Sequence, residues 1–157
     1  MNKSPYDGYP VADWKAITAD LVKAHPLRAD ELKTLVTAGW NDVFVSTFGR
    51  RGLKIGVDIF FKGQAMGSLL HELIPREFAE EHPSLWRPEI TATDKDMVCI
   101  PDDKFSIELK TSSDPNQIRG NKSFVEDETP GKKLKDGYYL VVNYEKLKRG
   151  KIPALIK

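Results

Sequence analysis

Cysteine is nearly absent from this chain: Cys99 is the one thiol in 157 residues. A single cysteine excludes an internal disulfide and offers no cluster for zinc. Its place in an apolar run makes it a packing residue. No apolar stretch approaches the roughly 20 residues that span a bilayer. No signal-peptide pattern opens the chain, so a cytoplasmic protein without a membrane is expected. Charge of one sign is not in excess either, with 24 Lys and Arg against 23 Asp and Glu, a net of +1. That balance argues neither for nor against a polyanionic partner. Internal repeats and low-complexity tracts are missing. What remains is an ordinary globular composition, expected to form one domain over residues 1–157 with Met1–Pro10 as a loose arm.

The distribution of charge is less even than its sum. Glu77, Glu80 and Glu81 cluster centrally, while Lys132, Lys133, Lys135, Lys146, Lys148, Arg149 and Lys151 crowd the last quarter. Such a run is either a solvated face or a phosphate-contacting one. Helical spacing is predicted over Val11–Ala24, ended by His25-Pro26, and over Glu31–Ala38, capped by Asp30 and closed by Gly39. Val43-Phe44-Val45 could form a short strand. Phe48–Gly63 reads as a loop with a strand near Val57–Phe61. Gln64–Ile74 is the clearest helix, with Met66, Leu69, Leu70 and Leu73 as its apolar stripe; Pro75 either kinks it or starts a second piece. Tyr138–Tyr144 suits a central buried strand, and Lys151–Lys157 an edge strand.

Residues Thr93–Lys110 hold the densest chemistry. Phe105-Ser106-Ile107-Glu108-Leu109-Lys110 alternates with a period of two, which predicts a strand with Phe105, Ile107 and Leu109 inward and Ser106, Glu108 and Lys110 outward. Other acid-x-Lys triplets, such as Glu31-Leu32-Lys33, lack that alternation. A preceding strand completes a hairpin. With a three-residue loop, Pro101-Asp102-Asp103, Ile100 pairs with Lys104 and Asp96 with Glu108, bringing both acids to one face. Asp94 is the reserve candidate. Two carboxylates there make a hard-oxygen site for Mg²⁺, and a neighbouring Lys can orient water and steady charge on a phosphate. A half-exposed strand bearing a solvated ion pair fits the same pattern.

Several further groups are candidates. Glu72, on the flank of the strong helix, could supply a third acid or simply pair with Arg76 at i+4. His71 is a weak candidate general base. Ser112 and Ser113 follow Lys110 and can bind phosphate or cap a turn. Gln117, Arg119, Asn121, Lys122 and Ser123 carry groups that bond base edges and phosphates, as an ordinary solvated loop also would. Arg50 and Arg51, set between glycines, are a second phosphate-contacting candidate.

Three blocks in order, Gln64-Ala65-Met66-Gly67-Ser68-Leu69-Leu70-His71-Glu72-Leu73-Ile74-Pro75, then Lys95-Asp96-Met97-Val98 with Phe105–Ser113, then Gly120-Asn121-Lys122-Ser123, resemble the ScaI-like family of type II restriction endonucleases. The resemblance implies the PD-(D/E)xK nuclease fold, an α/β protein of α+β type with a central mixed sheet flanked by helices. It implies Mg²⁺-dependent cleavage of double-stranded DNA; a homodimer cutting at a specific short site, with Mn²⁺ able to substitute, is expected. Asp96 looks like the first metal-binding acid, Glu108 the second, Lys110 the catalytic lysine and Glu72 the supporting helical acid; the Leu109 carbonyl is expected as a further metal ligand. Lys95 stands where the superfamily motif has proline. Relatives are expected to continue beyond a strand like 151–157, so that recognition elements are either missing here or supplied by earlier loops. Two alternatives stay open: a nuclease of this fold serving recombination, repair or junction cleavage, and a non-catalytic DNA binder.

Overall fold

The computed structural model describes residues 4–118, 136–151 and 153–156. Ser4–Pro10 form a turn whose Tyr6 ring packs on Trp14 at 5.2 Å. A 3-10 turn at Val11–Asp13 leads into α1, Trp14–Ala24. Helix α2 runs Ala29–Val45, well past the predicted stop at Gly39. Its N-cap is Arg28 and no side chain caps it, so Asp30 is a first-turn acid rather than the cap. Gly39 is not a terminator because it is a contact: a Cβ there would lie 3.1 Å from Ile74 Cγ1. The helix needs a hydrogen atom at that crossing, and packing overrides glycine's poor helix propensity. Val43-Phe44-Val45 is accordingly helical, with Val43 buried.

Strands β1, Thr47–Phe48, and β2, Leu53–Lys54, make a small antiparallel hairpin that begins one residue before the stretch expected to be a loop. Gly49 and Gly52 take φ of 63° and 64° to turn it, a conformation that a Cβ disfavours. The expected strand at 57–61 is reduced to a bridge between Ile55 and Ile59.

Helix α3, Gly63–Glu81, contains Pro75 without being broken by it. Met66, Leu70, Ile74 and Phe78, spaced four apart, are fully buried and form one ridge. Sheet order is β3-β4-β5-β6, with β3 Trp86–Pro88, β4 Met97–Cys99, β5 Ile107–Ser112 and β6 Tyr138–Asn143. The first three pair antiparallel, and β5 with β6 parallel. The result is an α+β fold around a mixed sheet. Among the described residues β6 ends that order instead of sitting centrally, although Tyr144 continues into an antiparallel bridge with Leu155. The core fills the space between the sheet and the α2–α3 pair: Trp40 and Tyr144 rings meet at 5.3 Å, and Met97, Leu109 and Val142 are buried. Among the described residues no helix is long and apolar enough to cross a membrane.

Candidate active site

The β4–β5 ribbon has the register that the odd-length loop implied, with Met97 opposite Ile107. The loop itself differs. Asp103–Phe105 form a 3-10 turn, and Ile100 donates its N–H to the Leu85 carbonyl instead of pairing with Lys104. At this closed end Ser106 takes over: its Oγ accepts the Cys99 N–H at 2.9 Å and donates to Asp103 Oδ1 at 2.7 Å. Ser106 is buried rather than exposed. Glu108 is also buried, at 8% exposure, so the polar side of β5 is itself enclosed.

At the open end the two strands part after one backbone pair. Asp96, 8% exposed, fills the gap, its Oδ2 accepting the Leu109 N–H at 2.6 Å. A carboxylate from the end of β4 thereby touches the backbone between Glu108 and Lys110. Lys110 Nζ donates to Glu108 Oε1 at 2.7 Å, a charge-assisted bond of full strength. Two ammonium groups face the Tyr139 ring, Lys95 at 5.6 Å and Lys110 at 6.0 Å. The parallel register sets Tyr139 beside Glu108, Val141 beside Lys110 and Asn143 beside Ser112, so all six share one face.

Helix α3 flanks this strand through one row of residues. A Cβ on Gly63 would meet Ser113 Oγ at 2.9 Å, and one on Gly67 would meet Thr111 Oγ1 at 2.6 Å. The next residue of that row, His71, brings Nδ1 to 3.5 Å from Asp96 Oδ2. Four helical residues advance about 6 Å and two strand residues about 6.6 Å. Helix positions 63, 67 and 71 therefore keep step with strand positions 113, 111 and 109. An open cleft of about 730 Å³ runs along this seam, lined by Gln64, Ser68, His71, Ser112, Gln117 and Lys146 among others.

Not every predicted residue arrives here. Glu72 is 69% exposed at its side chain and pairs with Arg76 at 3.2 Å. It borders the cleft, but the helix residue that meets Asp96 is its neighbour His71, because the seam row has a spacing of four. Asp94 is not a reserve ligand. Its Oδ2 binds Arg87 at 2.7 Å and accepts the Ile90 and Thr91 N–H groups, and the guanidinium holds its carboxyl well below the usual range. Ser112 spends its hydroxyl on the following turn, donating to the Gln117 carbonyl at 2.6 Å and accepting the Asp114 N–H. Ser113 faces Gly63 across the seam. Gln117 is exposed at the cleft. Arg50 and Arg51 are exposed at the tip of the β1–β2 turn, outside the cleft lining. Arg119, Asn121, Lys122 and Ser123 lie outside the described residues, as do Lys132, Lys133 and Lys135.

Asn143, which sequence reasoning passed over, is buried beside Ser112 and donates to the Asp114 carbonyl at 2.7 Å. Its alignment with Glu108 and Lys110 depends on parallel pairing across a long insertion, which no local pattern reveals.

Comparison with known proteins bears on what such a site is for. The Type II restriction enzyme ScaI of Streptomyces caespitosus is 49% identical over 144 residues, which is 91% of this chain. The chain spans 63% of that enzyme's length. No solved structure matches the chain. The ScaI restriction endonuclease profile matches residues 4–157. With that match running from the N-terminal turn through the ribbon to the last residue, the chain belongs to the ScaI restriction endonuclease family.

Proposed function

We propose that the protein is a Mg²⁺-dependent type II restriction endonuclease that hydrolyses phosphodiester bonds of double-stranded DNA at a specific short sequence. One observation carries this reading: the Asp96 carboxylate bonds to the Leu109 N–H, one residue from both Glu108 and Lys110, and lies 3.5 Å from His71, which lines the open cleft.

The donor set suits magnesium. Among the described residues, no group of three or more His, Cys, Asp or Glu side chains is placed to hold a metal. That pattern disfavours a zinc centre or an all-protein calcium cage. It fits an ion that takes one or two carboxylates and completes its octahedron with water and phosphate oxygens. Asp96 and Glu108 would hold it. A strand residue directs its N–H and C=O to the same edge, so the Leu109 carbonyl points to the Asp96 side and is a third oxygen. Bound there, Mg²⁺ or Mn²⁺ supplies Lewis acidity and neutralises charge at a scissile phosphate.

The chain's own groups do the rest. Lys110, fixed by Glu108, orients or helps deprotonate the attacking water and steadies the phosphate's charge. Gln117 and Lys146 offer a base-edge donor–acceptor and a phosphate contact along the cleft. A cytoplasmic homodimer would match the two-fold symmetry of a palindromic duplex.

Incubating the protein with plasmid DNA and Mg²⁺, beside Lys110→Ala and Asp96→Asn, tests the reading. Discrete fragments from wild type and none from either variant are expected. Equal cutting by all three proteins rejects the assigned residues. Nicks or a smear without defined ends points to another nuclease task, and metal-independent binding without cutting points to a binder.

A further inference from the structure

Resting on the metal site proposed above, we infer that His71 is a positioning residue that donates from Nδ1 to Asp96 Oδ2 and thereby sets the orientation of the first metal-binding carboxylate.

The local geometry singles out this residue. Asp96 Oδ2 already accepts the Leu109 N–H at 2.6 Å, and His71 Nδ1 stands 3.5 Å from the same oxygen. The Leu109 N–H bonds Oδ2 directly, and His71 Nδ1 approaches the same oxygen at ion-pair distance. A carboxylate held through one oxygen by two donors on different elements loses its rotation about the Cβ–Cγ bond. Its coordinating geometry is then defined before any cation arrives. Outer-shell partners of ligating carboxylates act in this way, and their removal typically weakens metal binding by about 10–100-fold.

The helix is built to bring the imidazole there. Gly63 and Gly67 permit α3 to lie against Ser113 and Thr111 without a Cβ between them. The third member of the row, where the ribbon opens, carries the first side chain long enough to cross. Pro75 follows four residues later and lacks the N–H that would bond the His71 carbonyl. The His71 carbonyl is therefore without the intrahelical bond that ties down the other turns of α3. The side chain is 34% exposed and lines the cleft, so it stands between solvent and the buried carboxylate.

The test uses the chemistry of the two imidazole nitrogens. An asparagine amide nitrogen superimposes on Nδ1, whereas a glutamine amide nitrogen reaches toward Nε2. Mn²⁺ binding to wild type, His71→Ala, His71→Asn, His71→Gln and Asp96→Asn is measured from the free-ion EPR signal, without DNA and therefore without turnover. Thermal melting confirms that each variant is folded. His71→Ala is expected to weaken Mn²⁺ binding about tenfold, His71→Asn to restore it to within about threefold, and His71→Gln to resemble alanine. A mere packing role would make glutamine, the larger side chain, the better replacement. Wild-type affinity in His71→Ala, or rescue by glutamine equal to that by asparagine, overturns the inference and leaves the nuclease reading intact. Equal binding by wild type and Asp96→Asn, or none by either, overturns the metal site itself and the role of His71 with it.

Discussion

The two ends of the β4–β5 ribbon are near mirror images in bonding and opposites in consequence. Each end extends the single Met97–Ile107 pair by one side-chain-to-backbone bond. At the closed end the Cys99 N–H goes to Ser106 Oγ; at the open end the Leu109 N–H goes to Asp96 Oδ2. Acids crowd both ends. At the closed end Asp102 accepts the Lys104 N–H and Asp103 accepts from Ser106, all within three residues. Asp94, though near the open end, likewise serves N–H groups three and four residues back. Asp96 instead reaches across 13 residues to another strand. A carboxylate that bonds locally shapes its own turn, whereas one that bonds across elements brings charge to where a second acid and a lysine already stand.

The largest predicted effect separates these two kinds of acid. Glu108→Gln, Asp96→Asn and Lys110→Ala should each reduce DNA cleavage by about 10²–10⁴-fold, while Asp102→Asn leaves it within a factor of about two. Rates on plasmid DNA in Mg²⁺ decide it. A comparable loss in Asp102→Asn would show that the ends are not functionally distinct.

Next in size is the seam that keeps the open end open. Gly67→Ala would place a methyl 2.6 Å from Thr111 Oγ1. Overpacking of that kind costs about 1–3 kcal/mol, and the shift should displace His71 as well. Adding Thr111→Ala removes the clashing oxygen. A double-mutant cycle by urea denaturation should show recovery of at least half the loss. Strictly additive losses would mean that the contact is not the constraint.

Smaller still is the effect expected of Asp94. Asp94→Asn keeps an acceptor for the Ile90 and Thr91 amides but loses the charge facing Arg87, a change of about 1 kcal/mol for a partly exposed pair. Because the folded carboxyl titrates below its ordinary value of 3.8, its contribution is complete above that pH. It is lost as acid carries the solution down through the folded value. Unfolding midpoints of wild type and Asp94→Asn should therefore differ at pH 7 and at pH 4 alike, and converge in stronger acid. Unchanged cleavage by this variant would place Asp94 with the closed-end acids. A catalytic defect would return it to the site.

Much of this geometry could be read from residues alone, and the failures have a common cause. The period of two in Phe105–Lys110 and the apolar stripe of Gln64–Ile74 located β5 and α3 because each element carries an apolar face that packs into the core. The Met97–Ile107 register followed from loop parity, although the loop is not a three-residue turn. Parity survives a change of shape when the flanking faces are both buried. Gly39 misled because its reason is Ile74, distant in sequence and adjacent in space. Ser106 misled because alternation predicts direction, not what covers the outward face. Glu72 drew notice as an acid, yet the row Gly63, Gly67, His71 was there in plain spacing. Two small residues four apart signal a close approach, and the third position of such a row is where to look for a reaching side chain. The cleft's remaining wall depends on pairing between β5 and β6, which are separated by a long insertion and carry no local mark of their register.

The mildest prediction concerns the closed end, where a histidine does structural work. His25 Nδ1 accepts the Leu27 N–H at 3.1 Å, which leaves the proton on Nε2 to bond the Phe105 carbonyl at 3.0 Å. The ring stacks on Trp86 and stands edge-on to Tyr138 and Phe105. Burial lowers its pKa below 6.5, the backbone bonds offsetting part of that shift. A second proton would have to sit on Nδ1, facing the Leu27 N–H. The unfolded chain has no such constraint and binds a proton near pH 6.5. The stabilisation from neutral His25 is thus fully present above that pH. It declines as pH falls below it, levelling off once the folded group also titrates. Urea midpoints measured from pH 7.5 to 5 should fall more steeply for wild type than for His25→Gln, whose amide can still donate to Phe105 but cannot titrate. Cleavage by His25→Gln at pH 7.5 should match wild type, since the imidazole lies at the end of the ribbon away from Asp96. Parallel pH slopes would show that the closed end is held by its aromatic contacts alone.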